Sequence, residues 1–597
     1  MYPVSNDYKL ALAASVREPA FINIVFGVTD PDAPGASTIT APNGELSYSN
    51  VVSIDRGSTV PSTYATLERN RWILDGRMPV PLEVNPIWQG YIGTEISGED
   101  CLYSGPPTVH IEFSDYFEFP GLSFQFDVAA GDYPSELQVI AYNDGAEVFN
   151  RTYYPDSPKF NFRESIPVFN SMDIKAIKSN LPYRRFRITQ LIYGLLQYLT
   201  DADIASASFN RSSSLLSTEL PTYNFDFTIF DSEHRYDPEN PSGLWEYLEE
   251  RQNVTVTIGQ YLYPDDEETY EEIPLCTTYS TGEFSVSGQG SLVSVTIKTN
   301  GLSAHLTDLY TEGTYEASGI TLYDLATRVA DFAGYTGVIT LDDALKTITT
   351  HVPLPKAPIN ECLQIIANAG RCIMTHSRGG YLQILREDTD PTDFTLTFDN
   401  MLSEPDTSKI PKLRSVITSY KHLSVSSSQT NAVENVSISV TEPTEFILDH
   451  SGAFTNCSLS TSGVTVVGTA KHFAYCTKVT LNGTGTVTVK GYAIETSDVS
   501  YAKQYGDVGQ DLDGIVNDLI DSPEVADAYA DWVAATTMRR TTYEVANRGF
   551  PYVDIGDMCT VDSNFETGIA ATIVGDKLTY NGAVRGSSTF ITANVES

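Results

Sequence analysis

Alternation between apolar and polar residues is the feature that most constrains the fold of this chain. The run YNFDFTIF, at positions 223–230, places an apolar side chain at almost every second position, and NVTVTIG follows at 253–259. A period of two fits a strand that buries one face, whereas a helix requires a period near 3.6. Clusters of Gly, Pro, Asn, Asp and Ser separate many such runs, and NDGAEV predicts a hairpin turn at Asp144 and Gly145. The sequence therefore predicts a mainly β fold.

The length of the chain predicts several domains. With 597 residues, about three to five domains are expected. The 35 Tyr and 26 Phe residues favour strands and supply enough apolar surface for buried cores. Changes in pattern predict five parts: an N-terminal arm at 1–60, a jelly-roll-like β-sandwich at 61–195, a β-domain at 196–315, an α/β unit at 316–400, and a second β-domain with a β insertion and a closing barrel at 401–597.

Helical periodicity appears in three places. Apolar residues recur at helical spacing in TLYDLATRVADFAG, where Thr321 can cap the start and Gly334 the end. A second helix is predicted over APINECLQIIANAG, and a hairpin with its tip at Arg378 follows. Residues 511–540 are also predicted to be helical, with Ser522 as the N-terminal cap. The first two helices and the hairpin predict a compact α/β unit.

The charge of the chain argues against nucleic-acid binding. There are 77 acidic and 37 basic residues, so the net charge is −40. Phosphate recognition requires clustered Lys and Arg, and the only compact basic group is Arg184, Arg185 and Arg187. We expect these three side chains to cover apolar surface with their stems and to pair with acids.

Cysteine usage and hydropathy predict a protein made in the cytoplasm of its cell. The seven cysteines are odd in number and form no CxxC motif, so reduced thiols are expected; a bond between Cys457 and Cys476 is the alternative. The N-terminal segment lacks the pattern of a signal peptide. No run of 18 apolar residues occurs, so no membrane span is predicted.

No catalytic motif is found, and no catalytic residue is predicted. The eight histidines form no HExxH or HxH spacing, and GxSxG, P-loop and dinucleotide-binding patterns do not occur. The chain is therefore expected not to be an enzyme. A hydrolase acting on cell walls is the alternative, and it would require two facing carboxylates or a metal.

One acidic loop is a candidate calcium site. DSEHRYDPENP supplies oxygen ligands of the kind that calcium prefers, although its spacing is not that of an EF-hand; the candidate ligands are Asp231, Glu233, Asp237 and Asn240. The favoured interpretation is a structured turn, because Pro238 and Pro241 bias the backbone towards turns. A short amphipathic helix is predicted directly after this loop, with Leu244, Tyr247 and Leu248 on one face.

Two tryptophans in the predicted sandwich are candidates for carbohydrate contact. Trp72 and Trp88 could offer flat apolar faces to sugar rings. For Trp72, burial in the sandwich core is the favoured alternative.

The order of the later parts resembles the hub proteins of phage tail tips and baseplates. The resemblance rests on PTYNFDFTIFDSEHRYDPENPSGLWEYLEERQNVTVTIG, on the two helices with the RGGYLQIL hairpin, and on RGFPYVDIGDMCTV near the end. It covers roughly residues 196–597. It implies hub-type β-barrels with an inserted α/β unit, a homotrimeric ring at the tail tip of a virion, and contacts with a distal tail protein, the tape measure protein, and tail fibres or receptor-binding proteins.

Residues 61–195 resemble a galactose-binding-like or discoidin-like module. Such modules bind sugars or act as spacers, so a host glycan is a candidate partner. Two alternatives to the hub stay open: a six-copy distal tail adaptor and a carbohydrate-binding adhesin of the host surface.

Overall fold

The structure is a computed structural model, and it describes residues 1–47, 68–69, 90–128, 130–240, 243–264, 266–289, 292–335, 339–563 and 566–595. Strands predominate in these residues and form several separate sheets. The prediction of a mainly β, multidomain fold with a small α/β unit is confirmed. Among the described helices, none has the length and apolar character needed to cross a bilayer.

The first elements are helix α1 (Asn6–Ala13) and strand β1 (Ala20–Thr29). The Ser5 hydroxyl caps the helix because it accepts the backbone N–H of Tyr8 at 3.1 Å. Strand β1 buries alternate side chains in the core, namely Ile22, Ile24, Phe26 and Val28.

A β-sandwich follows β1. Its elements are α2 (Ala33–Ala36), β2 (Ser37–Thr40), β3 (Glu45–Ser47), β4 (Tyr91–Ile96), β5 (Thr108–Phe119), β6 (Leu122–Gln125), β7 (Pro134–Asn143), β8 (Ala146–Tyr153), β9 (Lys159–Phe162), β10 (Ile166–Ser179), β11 (Arg185–Ile188) and β12 (Gln190–Ile192). A five-stranded sheet in the order β2-β5-β10-β7-β8 shares one aromatic-rich core with two three-stranded sheets, β11-β4-β3 and β12-β6-β9. The predicted turn at Asp144 and Gly145 is confirmed, since both residues have the positive φ that a tight hairpin turn requires.

Six long strands come next: β13 (Gly194–Leu199), β14 (Ile204–Ser212), β15 (Thr222–Phe230), β16 (Glu250–Tyr263), β17 (Asp266–Gln289) and β18 (Leu292–Asn300). The alternating run at 223–230 lies in β15, where Tyr223, Phe225, Phe227 and Ile229 are buried. The strand prediction for this run is therefore confirmed.

The helix predicted after the acidic loop is wrong. From residue 243, where the described chain resumes, only one turn of 3-10 helix forms, Trp245–Tyr247, and β16 has begun by Glu250. Tertiary contacts explain the difference, because the Gln252 side chain is fully buried and donates to the backbone oxygens of Thr29 at 3.0 Å and Tyr247 at 2.6 Å. Those bonds hold the segment extended beside β1.

The α/β unit agrees with its prediction. Its elements are β19 (Leu309–Tyr310), β20 (Ile320–Thr321), α3 (Leu322–Phe332), β21 (Ile339–Leu341), β22 (Thr349–Thr350), β23 (Ala357–Pro358), α4 (Ile359–Ala369), β24 (Ile373–His376) and β25 (Leu382–Leu385). Thr321 caps α3 by accepting the backbone N–H of Asp324 at 3.0 Å, and Gly334 follows the helix with a φ of +74°. Strands β24 and β25 form the predicted hairpin.

The next part of the chain contains a β insertion. After β26 (Pro391–Leu396) and β27 (Asp406–Lys409), it comprises β28 (Leu413–Asp449), β29 (Phe454–His472), β30 (Cys476–Gln504) and β31 (Gln510–Asp513). The strand order is β29-β30-β28-β31, and β-bulges interrupt the register at several points. Many side chains in the middle of these strands are exposed.

The closing elements are α5 (Pro523–Thr537), β32 (Thr541–Asn547), β33 (Met558–Val561), β34 (Ile569–Tyr580) and β35 (Val584–Thr592). The helix begins as predicted at Ser522, whose hydroxyl accepts the N–H of Val525 at 3.4 Å. The prediction of helix from residue 511 is wrong, because the segment before the cap contains β31, which pairs with β28.

Strands from both ends of the chain meet in one large sheet of 13 described strands. The order is β13-β1-β16-β17-β18-β15-β14-β34-β35-β32-β27, with β26 and β33 attached beside β34. The strand of residues 20–29 therefore belongs to this sheet, whereas β2 already belongs to the sandwich. The boundary predicted at residue 60 is thus not the edge of either unit. Sequence periodicity does not report such pairing between distant segments.

Candidate functional site

The described residues line a cavity of about 610 Å³ where several chain segments meet. Its lining comes from the N-terminal residues, the end of β14, the start of β15, Pro274 of β17, the β24–β25 hairpin and the loop before β33. The hairpin belongs to the α/β unit and the other segments to the large sheet or its ends. The cavity therefore marks the place where the α/β unit meets the body of the molecule.

A partly buried carboxylate joins two buried arginines beside this cavity. Asp554 Oδ1 lies 3.1 Å from Arg211 Nη1 and 2.7 Å from Arg378 Nη2. Arg211 also pairs with Asp576 at 3.0 Å, and both arginines donate to the backbone oxygen of Val553. This network links β14, the hairpin, the loop and β34.

The ion pairs keep Asp554 and Arg211 charged, although Arg211 is buried and Asp554 is partly buried. Burial by itself would raise the pKa of Asp554, but Arg378 and Arg211 outweigh burial and hold it below its ordinary value. Likewise burial favours the neutral form of Arg211, and Asp576 and Asp554 reverse that effect and raise its pKa. The charges therefore depend on one another, and removing one leaves the others uncompensated.

The first residues of the chain complete the junction. The amino group of Met1 lies 2.5 Å from Asp557 Oδ1 and 3.5 Å from Asp554 Oδ2. The Tyr2 ring lies 5.2 Å from the Arg378 guanidinium, in cation–π geometry. Burial raises the pKa of Asp557, and the amino group opposes this shift.

A neutral histidine lies at the hairpin side of the junction. His376 stacks on Tyr223 with ring centroids 4.8 Å apart, and its Nε2 accepts the backbone N–H of Ser303 at 3.2 Å. Burial lowers its pKa to about 3. The ring is therefore uncharged at neutral pH, with its proton on Nδ1 because Nε2 accepts a hydrogen bond.

The chemistry of this junction is that of structural anchoring. Asp554 and Asp576 pair with the arginines, and Arg211 and Arg378 also donate to a backbone oxygen. The Cys276 thiol lies near the two arginines, yet burial raises its pKa and keeps it protonated at neutral pH. The junction therefore positions four chain segments, and its described groups contain no activated thiol.

The predicted calcium loop is held by its own hydrogen bonds. The two carboxylate oxygens of Asp231 accept the backbone N–H groups of Arg235 and Tyr236, each at 2.9 Å. The Asn240 amide donates to the backbone oxygen of His234 at 2.7 Å. This geometry supports the predicted structured turn, because the buried Asp231 satisfies two backbone donors.

The other candidate ligands point to local partners. Asp237 lies 3.2 Å from His234 Nδ1 and accepts the N–H of Glu239 at 2.9 Å, and Glu233 lies 3.6 Å from Arg235. The N–H of Glu239, followed by His234, lowers the pKa of Asp237. In the part of the chain that the structure describes, no group of three or more His, Cys, Asp or Glu side chains is placed to hold a metal ion. Calcium binding at this loop stays a prediction.

The candidate carbohydrate contacts, Trp72 and Trp88, lie outside the described residues. Their predicted role stays a prediction.

The basic group in the sandwich is an interior network, as expected. Arg187 pairs with Glu68 and lies 3.8 Å from Asp127, and Arg184 lies 3.3 Å from Asp132. Arg185 donates to backbone oxygens of β4. All seven cysteines are free, so the alternative Cys457–Cys476 bond does not form.

The sequence does not single out the Arg211–Asp554–Arg378 network. It places Arg378 only at a hairpin tip, and no motif distinguishes Arg211 or Asp554 from other charged residues. Arg211 and Asp554 are 343 positions apart in the sequence. Only the folded chain brings them together.

No protein-family model and no curated protein sequence matches this chain. Among solved structures, it is similar to the 43 kDa tail protein of prophage MuSo2 from Shewanella oneidensis, with 13% identity, 67% of this chain and 97% of that chain covered, and a TM-score of 0.38. A tail protein from Neisseria meningitidis gives 10% identity, coverages of 67% and 94%, and a TM-score of 0.39. A type VI secretion component of E. coli, described as similar to the T4 tail proteins gp27 and gp5, gives 8% identity, coverages of 66% and 74%, and a TM-score of 0.31. With TM-scores below 0.5, these likenesses establish neither the family nor the function of this chain.

Proposed function

We propose that this chain is a structural hub of a phage tail tip or baseplate. In this role it closes the tail tube and anchors the tape measure protein and the fibres, and it performs no catalysis. The observation that carries the proposal is the arrangement of the large sheet. Strands from residues 20–29, 194–300 and 541–592 form one body, and the α/β unit, the sandwich and the β insertion are attached to it. Within residues 196–597, the β-domains and the α/β unit occur in the order that the hub resemblance implies.

The buried charge network supports a mechanical role. Asp554 ties β14 and the β24–β25 hairpin to the loop before β33 through two arginines. Separating these segments is unfavourable, because a buried unpaired charge is costly. The network thus favours a fixed arrangement of the α/β unit on the sheet, as a hub under mechanical force requires.

The net charge supports the same role. At −40, the chain repels free nucleic acid. A tail component that DNA passes on its way out benefits from such repulsion, because DNA does not adhere to it.

The proposed assembly is a homotrimer in the virion, at the tail tip, made in the host cytoplasm. Its proposed partners are the distal tail protein, the tape measure protein, and tail fibres or receptor-binding proteins. Calcium at the 231–240 loop and a host glycan at Trp72 or Trp88 are secondary proposals of the same assignment.

The mass of the purified chain in solution tests the proposal. By light scattering or mass photometry, we expect a particle near three times 65.5 kDa. A six-copy particle would favour the distal tail adaptor instead. A monomer at all concentrations that binds glycan would contradict the hub and favour the adhesin.

A further inference from the structure

The outer face of the large sheet carries an exposed aromatic group. Tyr261 of β16 and Tyr270 of β17 are direct cross-strand partners, with ring centroids 6.2 Å apart. The Phe21 ring of β1 lies 5.3 Å from Tyr261 and 5.2 Å from Tyr270. The Phe21 and Tyr261 side chains point away from the core, because their chain neighbours Ile22 and Gln260 are buried. Tyr270 is 51% exposed, so the group faces solvent.

A glycine allows this arrangement. Gly259 is the cross-strand partner of Phe21 on one side and of Glu272 on the other. A Cβ at this position would lie 2.0 Å from the Phe21 ring. The Phe21 ring therefore lies over β16 at Gly259, whose cross-strand partner on the other side is Glu272.

The carboxylates near the aromatic group have no cationic partners among the described residues. Glu272 accepts the Asn23 amide at 2.8 Å and the Thr257 hydroxyl. Four further acids lie nearby on the same hairpin or on α1, namely Asp7, Asp266, Glu268 and Glu271, and of these Glu271 points to the opposite side of the sheet, towards α1. Within the described residues, none of these five carboxylates makes an ion pair. Their negative charge is therefore uncompensated by the chain itself.

Helix α1 holds the hairpin in place. The Ser5 N–H donates to Glu271 Oε1 at 3.0 Å, and the Tyr263 hydroxyl donates to Asp7 at 2.9 Å. Asp266 also accepts two backbone N–H groups at the hairpin tip. The Thr269 hydroxyl, followed by these backbone groups, lowers the pKa of Asp266. The face is thus ordered before any partner binds, which reduces the entropy lost on binding.

We propose that this face, defined by Phe21, Tyr261, Tyr270 and Glu272, is a docking surface for a Lys- or Arg-rich segment of a partner protein. The faces of tyrosine rings attract cations, and an adjacent carboxylate adds a charge-assisted hydrogen bond. A neutral sugar would use the aromatic rings but gains nothing from the uncompensated carboxylates beside them. Charge complementarity therefore favours a basic segment. This inference does not depend on the hub assignment.

Binding of fluorescently labelled octaarginine and octalysine to the full-length chain tests the proposal. Because the whole chain is acidic, each variant needs a matched control that changes the same group elsewhere. Tyr270→Ser is compared with Tyr154→Ser, whose ring is 71% exposed in the sandwich. Glu272→Gln is compared with Glu445→Gln, an exposed carboxylate of the β insertion. The glutamine introduced by Glu272→Gln can still accept the Asn23 amide, so the sheet is preserved.

We expect Tyr270→Ser to weaken octaarginine binding by about tenfold and Glu272→Gln by about threefold to fivefold. Both controls are expected to remain within about twofold of the wild type, since surface charges act weakly at a distance in salt. Equal affinities for all four variants would overturn the proposal and assign binding to the overall field of the chain. Salt-insensitive binding of a neutral oligosaccharide such as chitohexaose, abolished by Tyr270→Ser, would overturn it in favour of a glycan site.

Discussion

The large sheet and the β insertion are both built from antiparallel strands, but they are stabilised differently. Among the described residues, the core of the large sheet contains 40 buried side chains, many of them aromatic, and it adjoins the Arg211–Asp554 network. The insertion has a core of ten, mostly small aliphatic residues, and its ion pair between Arg414 and Asp511 is exposed. Strand length therefore says little about stability, because β28 is the longest described strand and yet lies in the smaller core.

The largest difference in the free energy of unfolding should appear when one arginine is removed from each region. Arg211→Met leaves Asp554 and Asp576 without this partner in a buried site, and we expect a loss of about 3–5 kcal/mol in the free energy of unfolding. Arg414→Met removes a solvent-exposed pair and should leave that free energy almost unchanged, because water screens the pair. Urea unfolding followed by circular dichroism measures both. Losses of equal size would contradict the distinction between the two regions.

The stability of the two regions should also depend differently on pH. Because burial lowers the pKa of His376 to about 3, the unfolded chain takes up a proton below pH 6.5 that the folded chain does not. Stability contributed by the neutral ring is present above pH 6.5 and is lost as the pH falls towards 3. The expected slope is about 1.4 kcal/mol per pH unit, or about 3 kcal/mol between pH 6.5 and 4.5.

His376→Gln should remove this part of the pH dependence in urea unfolding. The control is His422→Gln, which changes an exposed histidine of the insertion. An unchanged slope in the His376 variant would show that the ring does not stay neutral in the folded chain.

Matched valine truncations test whether the insertion unfolds separately. Val256 lies in the large core and Val489 in the small one, and both are fully buried. Each Val→Ala change should cost about 2 kcal/mol. With Val489→Ala, we expect faster amide hydrogen exchange in the insertion alone, whereas Val256→Ala should accelerate exchange across the large sheet. Uniform acceleration in both variants would indicate one cooperative unit.

The smallest loss in the free energy of unfolding is expected at helix α5, where the insertion is attached. Helix α5 packs on Leu413 and Val416 at the root of β28. Ser522→Ala removes the cap of this helix and should cost about 1 kcal/mol. Hydrogen exchange should increase in α5 and at the root of β28. No change in α5 would mean that packing alone fixes the start of the helix.

Local patterns predict the positions of most elements correctly. The alternation in β15, the capping residues Thr321 and Ser522, and the turn at Asp144 all act within a few residues, so the sequence displays them directly. The two wrong helix predictions, after residue 240 and before residue 522, occur where segments pair with distant strands. There, strand pairing outweighs weak helical propensity.

The candidate site is less predictable than the fold. The turn interpretation of the acidic loop agrees with the structure because Asp231 bonds to residues four and five positions later. The junction network escapes prediction because charged residues are abundant in this chain and burial is not visible in their spacing.

By itself the sequence determined that this protein is mainly β, strongly acidic and divided into several parts, because periodicity, capping and net charge are properties of short segments or of composition. The tertiary structure alone decided that β1 lies between β13 and β16, that β14 pairs with β34, and that Arg211 meets Asp554. These outcomes depend on contacts between residues far apart in the chain. Their free energy arises from burial and charge pairing that exist only once the chain has folded.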